Sequence, residues 1–165
     1  MINDYDPKWP CRFEELRLRI AAALGELAAA IEHIGSTAVP GLAAKPIIDM
    51  DVLLKANGDF PGAVVRLASL GYRHQGDLGI AGREAFEAPP AGFAHHLYVC
   101  LPHCMQYRRH IAFRDHLRKH PDDASAYAEL KRRLAAQFSC DRAAYVAGKT
   151  QFVSAILQRA LESEA

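Results

Sequence analysis

The stretch HIGSTAVPGLAAKPIIDMDVLL, residues 33–54, decides the fold of this 165-residue chain. Its final segment, 47–54, has the apolar composition of a strand and carries Asp49 and Asp51. Side chains two apart on a strand share a face, so both carboxylates point the same way. Gly35-Ser36 precedes this strand, and glycine there lets backbone N–H groups approach a phosphate closely. The stretch predicts an acid-bearing strand beside a phosphate-binding turn.

The acid pair predicts a divalent metal site. Carboxylates are the hard oxygen ligands that Mg²⁺ or Mn²⁺ prefers, and two on one face can hold a cation that bridges nucleotide phosphates. The alternative is an edge strand whose acids face water. A central strand is favoured, because the flanking residues are apolar and paired like charges without a cation are costly there: Ile47, Ile48, Val52 and Leu53.

The first half of the chain predicts a mixture of helices and strands. Apolar residues at three- and four-residue spacing predict an amphipathic helix over 12–27, after an extended arm with Pro7 and Pro10. A second helix over 60–70 ends at Gly71, which suits a left-handed cap. Besides the acid strand, the strand candidates are 29–34, 72–74, 83–88 and 95–101, the last two forming an antiparallel pair across a Pro-Gly turn.

The second half predicts helices over 106–119, 124–138 and 141–161. Asp122 and Asp141 are the expected acidic N-caps of the last two. The fold class is therefore α+β with a helical C-terminal extension, and 1–165 is expected to form a single domain around one core.

Composition narrows the classes of partner. A formal charge of +1, from 20 basic and 19 acidic side chains, gives no electrostatic case for nucleic acid or an anionic membrane. No apolar run approaches the roughly 20 residues of a membrane helix. The N-terminus MINDYDPKWP lacks a signal-peptide pattern, so a cytoplasmic protein is the expectation.

Cys100, His103 and Cys104 offer a second metal hypothesis, because three possible zinc ligands fall within five positions. A structural zinc site usually has four well-spaced ligands, so an ordinary strand-to-helix turn is the favoured interpretation.

A set of motifs runs nearly end to end through the chain, and its specific part is the block from His33 to Asp49. The other positions of the set are Tyr5-Asp6-Pro7, Trp9-Pro10, Gly82-Arg83, His95-His96-Leu97, the segment 113–118, Tyr127, Leu130-Lys131, Tyr145 and Lys149. In these residues the chain resembles the GrpB family, a branch of the nucleotidyltransferase superfamily.

The resemblance implies a small mixed sheet with flanking helices and a helical extension. It assigns Gly35, Ser36 and the adjoining Thr37 to the nucleotide-phosphate turn, and Asp49 and Asp51 to metal binding. The implied reaction is metal-dependent transfer of a nucleotidyl group from a nucleoside triphosphate to a small acceptor.

This chain departs from the pattern of its relatives at two places. Family members commonly have His-x-His where this chain has His96-Leu97-Tyr98. Active enzymes of the superfamily often place a third carboxylate on a later strand, as the base that activates the acceptor, and Glu87 is the acid in the plausible strand. Glu87 and His96 are therefore the candidate bases.

Several basic residues are candidate anion ligands. Lys45 and Arg83 could bind triphosphate, and Arg114 and Arg118, one helical turn apart, could form an anion fork, although exposed helical arginines are usually solvated surface. His33 is either a ligand or a hydrogen-bonded core histidine.

Two functions of different class remain open. The first is the nucleotidyltransferase with Mg²⁺ on Asp49 and Asp51. The second is a non-catalytic nucleotide-binding or protein-interaction module on the same fold, favoured by the missing second histidine and the unassigned third acid.

Overall fold

The computed structural model describes residues 1–162. Within that range the chain forms five α-helices, α1 Trp9–Leu24, α2 Phe60–Ala68, α3 Met105–Lys119, α4 Pro121–Gln137 and α5 Arg142–Glu162. It also forms five strands, β1 Ala28–Ile34, β2 Ile48–Leu54, β3 Arg73–Gly76, β4 Arg83–Glu87 and β5 His95–Cys100.

The five strands form one mixed sheet in the order β1-β2-β5-β4-β3. β2 and β5 run parallel, and the other neighbouring pairs are antiparallel. The acid strand is therefore central, with β1 on one side and β5 on the other. In this register Asp49 lies opposite His96 on β5, and Asp51 lies opposite Tyr98.

The residues of β2 alternate between an apolar face and a face that carries both acids. Ile48, Met50, Val52 and Leu54 are all buried in the core that α1 and α2 cover. Asp49 and Asp51 lie on the opposite face, where the helical half packs. The period of two predicted from the sequence decides which face of the sheet carries the polar residues.

The helical half is attached through a second, smaller core. Its buried residues come from the loop after β1 and from α3 and α4, and they are Val39, Leu42, Ala43, Leu117, Tyr127 and Ala128. α5 completes this half by packing on α3 and α4. A cleft lies between these helices and the acid face of the sheet.

The predicted elements are present, with shifted ends. α1 begins at Trp9 because Pro10 is accommodated in its first turn. Trp9 is buried and packs edge-on against Tyr5, so these aromatic residues fix the N-terminal arm to the core. The expectation of an N-cap at Asp122 is wrong: His120 occupies that position and Asp122 lies in the first turn of α4. Asp141 does cap α5, since its Oδ1 accepts the N–H of Ala144 at 2.9 Å.

Leu97 tests the central part of this core. It is fully buried on β5, and Leu97→Ala is expected to lower the free energy of unfolding by about 2–5 kcal/mol, because a cavity remains where the side chain was. Val65→Ala on the exposed face of α2, at 71% exposure, is the matched control and should change stability by less than about 0.5 kcal/mol. Urea unfolding measures both, and equal losses would contradict the assignment of Leu97 to the core.

Candidate functional site

The site is built on the turn that follows β1. Gly35 has φ 72° and ψ −171°, and a short 3₁₀ segment, Ser36–Ala38, continues from it. A Cβ atom at position 35 would lie 2.5 Å from Asp49 Oδ2, well inside contact distance. Glycine is required here for two reasons, its left-handed backbone and the carboxylate that occupies the space of a side chain.

Each acid on β2 has a histidine partner. Asp49 Oδ1 lies 2.8 Å from His96 Nδ1, and Asp51 Oδ2 lies 2.7 Å from His110 Nδ1 on α3. Carboxylate oxygens accept, so Nδ1 donates in both pairs. His110 Nε2 in turn lies 2.9 Å from the Gln106 amide nitrogen, which donates to it. Both ring nitrogens of His110 therefore have hydrogen-bond partners.

Asp51 is the acid that is fully buried and has an unsatisfied oxygen. Its side chain is fully buried, and burial raises its pKa while the hydrogen bond from His110 opposes that rise. Its Oδ1 has no hydrogen-bond partner among residues 1–162. A buried carboxylate oxygen without a partner is costly, and a cation beside it would remove that cost. The donor set of Asp49 and Asp51 therefore suits a hard divalent cation.

Basic side chains from the helical half face the acid pair across the cleft. A cavity of about 270 Å³ is lined by Ser36, Thr37, Lys45, Asp49, His96, Lys131, Arg142, Tyr145 and Lys149, among others. Lys45 and Lys149 both lie 4.6 Å from the centre of the Tyr145 ring. The lining carries more basic than acidic groups, so it favours an anionic ligand.

Lys131 is the most deeply placed of these cations. It is buried on α4, and its Nζ donates to Ser36 Oγ at 2.8 Å and to the carbonyl of Ala43. Burial and, to a smaller extent, the charges of Lys149 and Arg132 together lower the pKa of Lys131 to about 7. Burial also lowers the pKa of Lys149. An anion in the cavity would favour the protonated form of both amines.

A second cavity, of about 330 Å³, adjoins the first and shares Ser36, Asp49 and Lys149 with it. Arg83 and Arg109 supply its arginines, and its remaining lining includes Tyr98, Gln106, His110, Phe113 and Tyr127. The Arg83 guanidinium lies over the Tyr98 ring at 4.3 Å. The cleft thus has two compartments, which meet at Asp49.

Five of the candidate residues line the first compartment, namely Ser36, Thr37, Lys45, Asp49 and His96, while Gly35 of the turn lines the second. The Thr37 hydroxyl already has partners, since its Oγ1 lies 2.9 Å from His33 Nε2 and donates to the Ile47 carbonyl at 3.4 Å.

His33 stacks on Phe13, and its pKa is lowered by burial to about 4, so it is a neutral core residue. Asp51 lies beneath His110, and Arg83 lies in the second compartment.

Five candidates line neither compartment: Asp51 and His33, described above, and Glu87, Arg114 and Arg118. Glu87 ends β4 and forms an ion pair with Arg73 at 2.7 Å on the exposed part of the sheet. Arg114 does not form an anion fork with Arg118, because its guanidinium donates hydrogen bonds to Glu32 at 2.7 Å, to Asp115 at 2.8 Å and to the His33 carbonyl. Arg118 donates to the Ala38 carbonyl at 2.9 Å. These arginines join the helices to the sheet.

The zinc hypothesis is not supported. Cys100 and Cys104 are buried without forming a metal-binding group with His103, whose φ of 65° sets the turn before α3. In residues 1–162, the one group of three ligand atoms close enough for an ion is His116, His120 and Asp123, elsewhere in the helical half. The strand-to-helix turn is the correct interpretation of 100–104.

The sequence reasoning missed His110, Lys131 and Lys149 as site residues. Lys131 carries a readable signal, because it follows Tyr127 and Leu130 on the buried face of α4, where a lysine needs a partner. His110 has no such signal, since its partner Asp51 is 59 residues away.

Comparison with known proteins identifies the family. The family profile described as GrpB protein matches residues 1–159. The chain belongs to the GrpB family. GrpB relatives include a UPF0157 protein of Pseudomonas aeruginosa, 44% identical over 160 residues, and UPF0157 protein YqkA of Bacillus subtilis, 37% identical over 149 residues. The alignments cover 94% and 90% of this chain and 65% and 43% of those relatives.

Solved structures agree with the family and place the fold. The crystal structure of GrpB from Enterococcus faecalis superposes with a TM-score of 0.90 at 33% identity, covering 99% of each chain. Terminal uridylyl transferase 4 from Trypanosoma brucei with bound UTP superposes with a TM-score of 0.55 at 17% identity, covering 95% of this chain and 52% of that one. The GrpB chain therefore has the nucleotidyltransferase fold. None of the helices within residues 1–162 has the length and apolar character needed to cross a membrane.

Gly35 and Gly41 allow a matched test of the turn. Both have positive φ, but a Cβ at Gly41 meets nothing within 4 Å, whereas one at Gly35 meets Asp49. Gly41→Ala should cost about 1–2 kcal/mol from left-handed strain alone. Gly35→Ala should cost at least about 1 kcal/mol more, because Asp49 or the turn must move. Urea unfolding of the two variants measures the difference, and equal costs would show that Gly35 does not abut Asp49.

Proposed function

We propose that this protein binds a nucleoside triphosphate with a divalent metal and transfers the nucleotidyl group to a small acceptor. The observation that carries the proposal is the packing of the Gly35-Ser36 turn against Asp49 in a cavity lined by Lys45, Lys131 and Lys149. A triphosphate is the ligand that needs both a metal-binding acid pair and several ammonium groups. The fold is shared with an enzyme solved with bound UTP.

Asp49 and Asp51 would hold the metal, which when bound supplies positive charge at the phosphate oxygens. Lys131 and Lys149 would bind the phosphates, with Ser36 as a further hydrogen-bond donor. The partnerless Asp51 Oδ1 supports this role, because the folded protein leaves that oxygen unsatisfied.

The transfer forms a bond between an acceptor oxygen and the α-phosphorus. The bond from that phosphorus to the oxygen bridging to the β-phosphate breaks, and pyrophosphate leaves with the electron pair. The acceptor proton goes to His96 Nε2. His96 suits this role because its Nδ1 donates to Asp49, which leaves the Nε2 lone pair free to accept a proton, and the side chain lines the cavity.

Nucleotide binding without transfer is the second candidate function. The β5 positions opposite Asp49 and Asp51 are His96 and Tyr98, so neither carries the third carboxylate of active enzymes. Saturable nucleotide binding with no product from a broad panel of small acceptors would favour this module over the enzyme.

The metal assignment is tested with Asp51→Asn. An asparagine can accept the same hydrogen bond from His110, and it removes a buried charge, so the melting temperature should not fall. Binding of ATP, CTP, GTP or UTP in Mg²⁺ should weaken by about tenfold or more, because a charged ligand of the cation is lost. Calorimetric titration in Mg²⁺ and in EDTA measures this.

Asp77→Asn is the control for that variant. Asp77 is exposed and its Oδ1 accepts the Gly79 N–H, a contact that asparagine retains. Retained Mg²⁺-dependent binding in Asp51→Asn, or an equal loss in Asp77→Asn, would contradict the metal site.

Because the pKa of Lys131 is lowered, we expect the protein to take up a proton when a triphosphate binds. With a pKa of about 7 this lysine is mostly neutral at pH 8 in the free protein, and the phosphate charge raises that pKa, so binding should take up a proton. Lys149 is shifted in the same direction and adds to the uptake. Calorimetry in buffers of different ionisation enthalpy measures the protons exchanged at pH 8.

Lys131→Gln should lower that uptake, while Lys55→Gln, an exposed lysine outside the cavity, should not. The uptake should also vanish near pH 5, where Lys131 is already protonated before the ligand arrives. Uptake unchanged in Lys131→Gln would show that Lys131 does not face the phosphates.

A further inference from the structure

The two compartments meet at Asp49, and all their basic residues except Lys149 belong to one compartment or the other. Lys45, Lys131 and Arg142 line the first compartment, whereas Arg83 and Arg109 line the second. Lys149 and Ser36 line both. A transfer between two substrates needs two binding sites that share the reacting centre, and this arrangement provides them.

Arg83 indicates what the second compartment binds. Its side chain is buried, with 9% of the residue exposed, and its Nε has no hydrogen-bond partner among residues 1–162. The Tyr98 ring contacts the face of the guanidinium, and this contact accepts no hydrogen bond from the N–H groups. A buried guanidinium N–H without an acceptor is costly, and an oxyanion in the cavity would supply the acceptor.

Arg109 is the second arginine that lines this compartment. It projects from α3 as an exposed residue that also lines this cavity. Two guanidinium groups on one cavity favour a planar or tetrahedral oxyanion, which they can bind through paired hydrogen bonds.

The remaining walls limit the size and character of the ligand. They include Phe113, Val153 and Leu157, so the part of the ligand away from the acid contacts apolar surface. A volume of about 330 Å³ is at the lower end for small-molecule sites.

We propose that the compartment of Arg83 and Arg109 binds the acceptor, a small molecule with a phosphate or carboxylate group held by these arginines and a hydroxyl group that reaches Asp49. This inference rests on the proposed function, since it names the substrate that receives the nucleotidyl group. It separates Arg83 from the triphosphate ligands, to which its sequence position had assigned it.

The test uses the full chain loaded with Mg²⁺ and the α,β-methylene analogue of whichever nucleotide binds tightest, because this analogue cannot transfer its nucleotidyl group. Glycerol 3-phosphate and glycerate are titrated into the loaded protein by calorimetry, with glycerol as the uncharged control. At least one acid should bind without displacing the nucleotide, and glycerol should not bind. The tighter of the two acids distinguishes a phosphate acceptor from a carboxylate acceptor.

Arg83→Gln should weaken acid binding by about tenfold or more and leave nucleotide affinity within about twofold, because only the second compartment loses a charge. Arg83→Lys should retain part of the affinity. Arg109→Gln, an exposed substitution that does not threaten folding, should weaken acid binding several-fold. Arg73→Gln, which affects an exposed arginine paired with Glu87, should change neither affinity.

Three results would overturn the acceptor site: no acid binds the loaded protein, the acid competes with the nucleotide, or Arg83→Gln weakens the nucleotide instead. Failure of the proposed function is distinguishable, because it appears in the nucleotide titration alone as no Mg²⁺-dependent binding. Acid binding measured without nucleotide then still reports on Arg83, and its loss in Arg83→Gln would support an oxyanion site while removing its role as an acceptor site.

Discussion

The structure depends on the central strand β2, whose two faces lie in opposite environments, one apolar and one polar. Ile48, Met50, Val52 and Leu54 of β2 are buried beneath α1 and α2, while Asp49 and Asp51 lie on the opposite face with Leu53. The register cannot slip by a residue without burying both carboxylates in the apolar core. This constraint fixes the sheet, and it leaves an acid face that the helical half must cover with partners. His110 of α3 is such a partner, since its Nδ1 donates to Asp51.

A histidine lies beside each acid of β2. His96 lies opposite Asp49 across the parallel pair β2 and β5, and His110 reaches Asp51 from α3. A third carboxylate would add negative charge to a site where burial already raises the pKa of Asp51. Each histidine instead donates a hydrogen bond to the existing carboxylate. The acid pair is thus supported without greater repulsion.

Sequence patterns within short segments were sufficient to predict the fold and part of the site. The alternation in 47–54 and the Gly35-Ser36 turn are encoded within a few residues, so the strand, its face and the turn follow from spacing alone. Contacts between distant segments are not encoded in this way. Arg114 has the spacing of a surface anion fork, yet its ion pair is with Glu32, 82 residues earlier. Lys131 and Ser36 are 95 residues apart, and only the packing of α4 brings them together.

The basic residues that join the helices to the sheet have a consequence for how the cleft can move. Arg114 and Arg118 on α3, and Lys131 on α4, each donate to a main-chain carbonyl between His33 and Ala43. Swinging the helices away from the sheet would break all three hydrogen bonds at once. Hinge opening of the cleft is therefore costly in this protein. Any ligand of the cleft would have to fit a width that the packed helices already set.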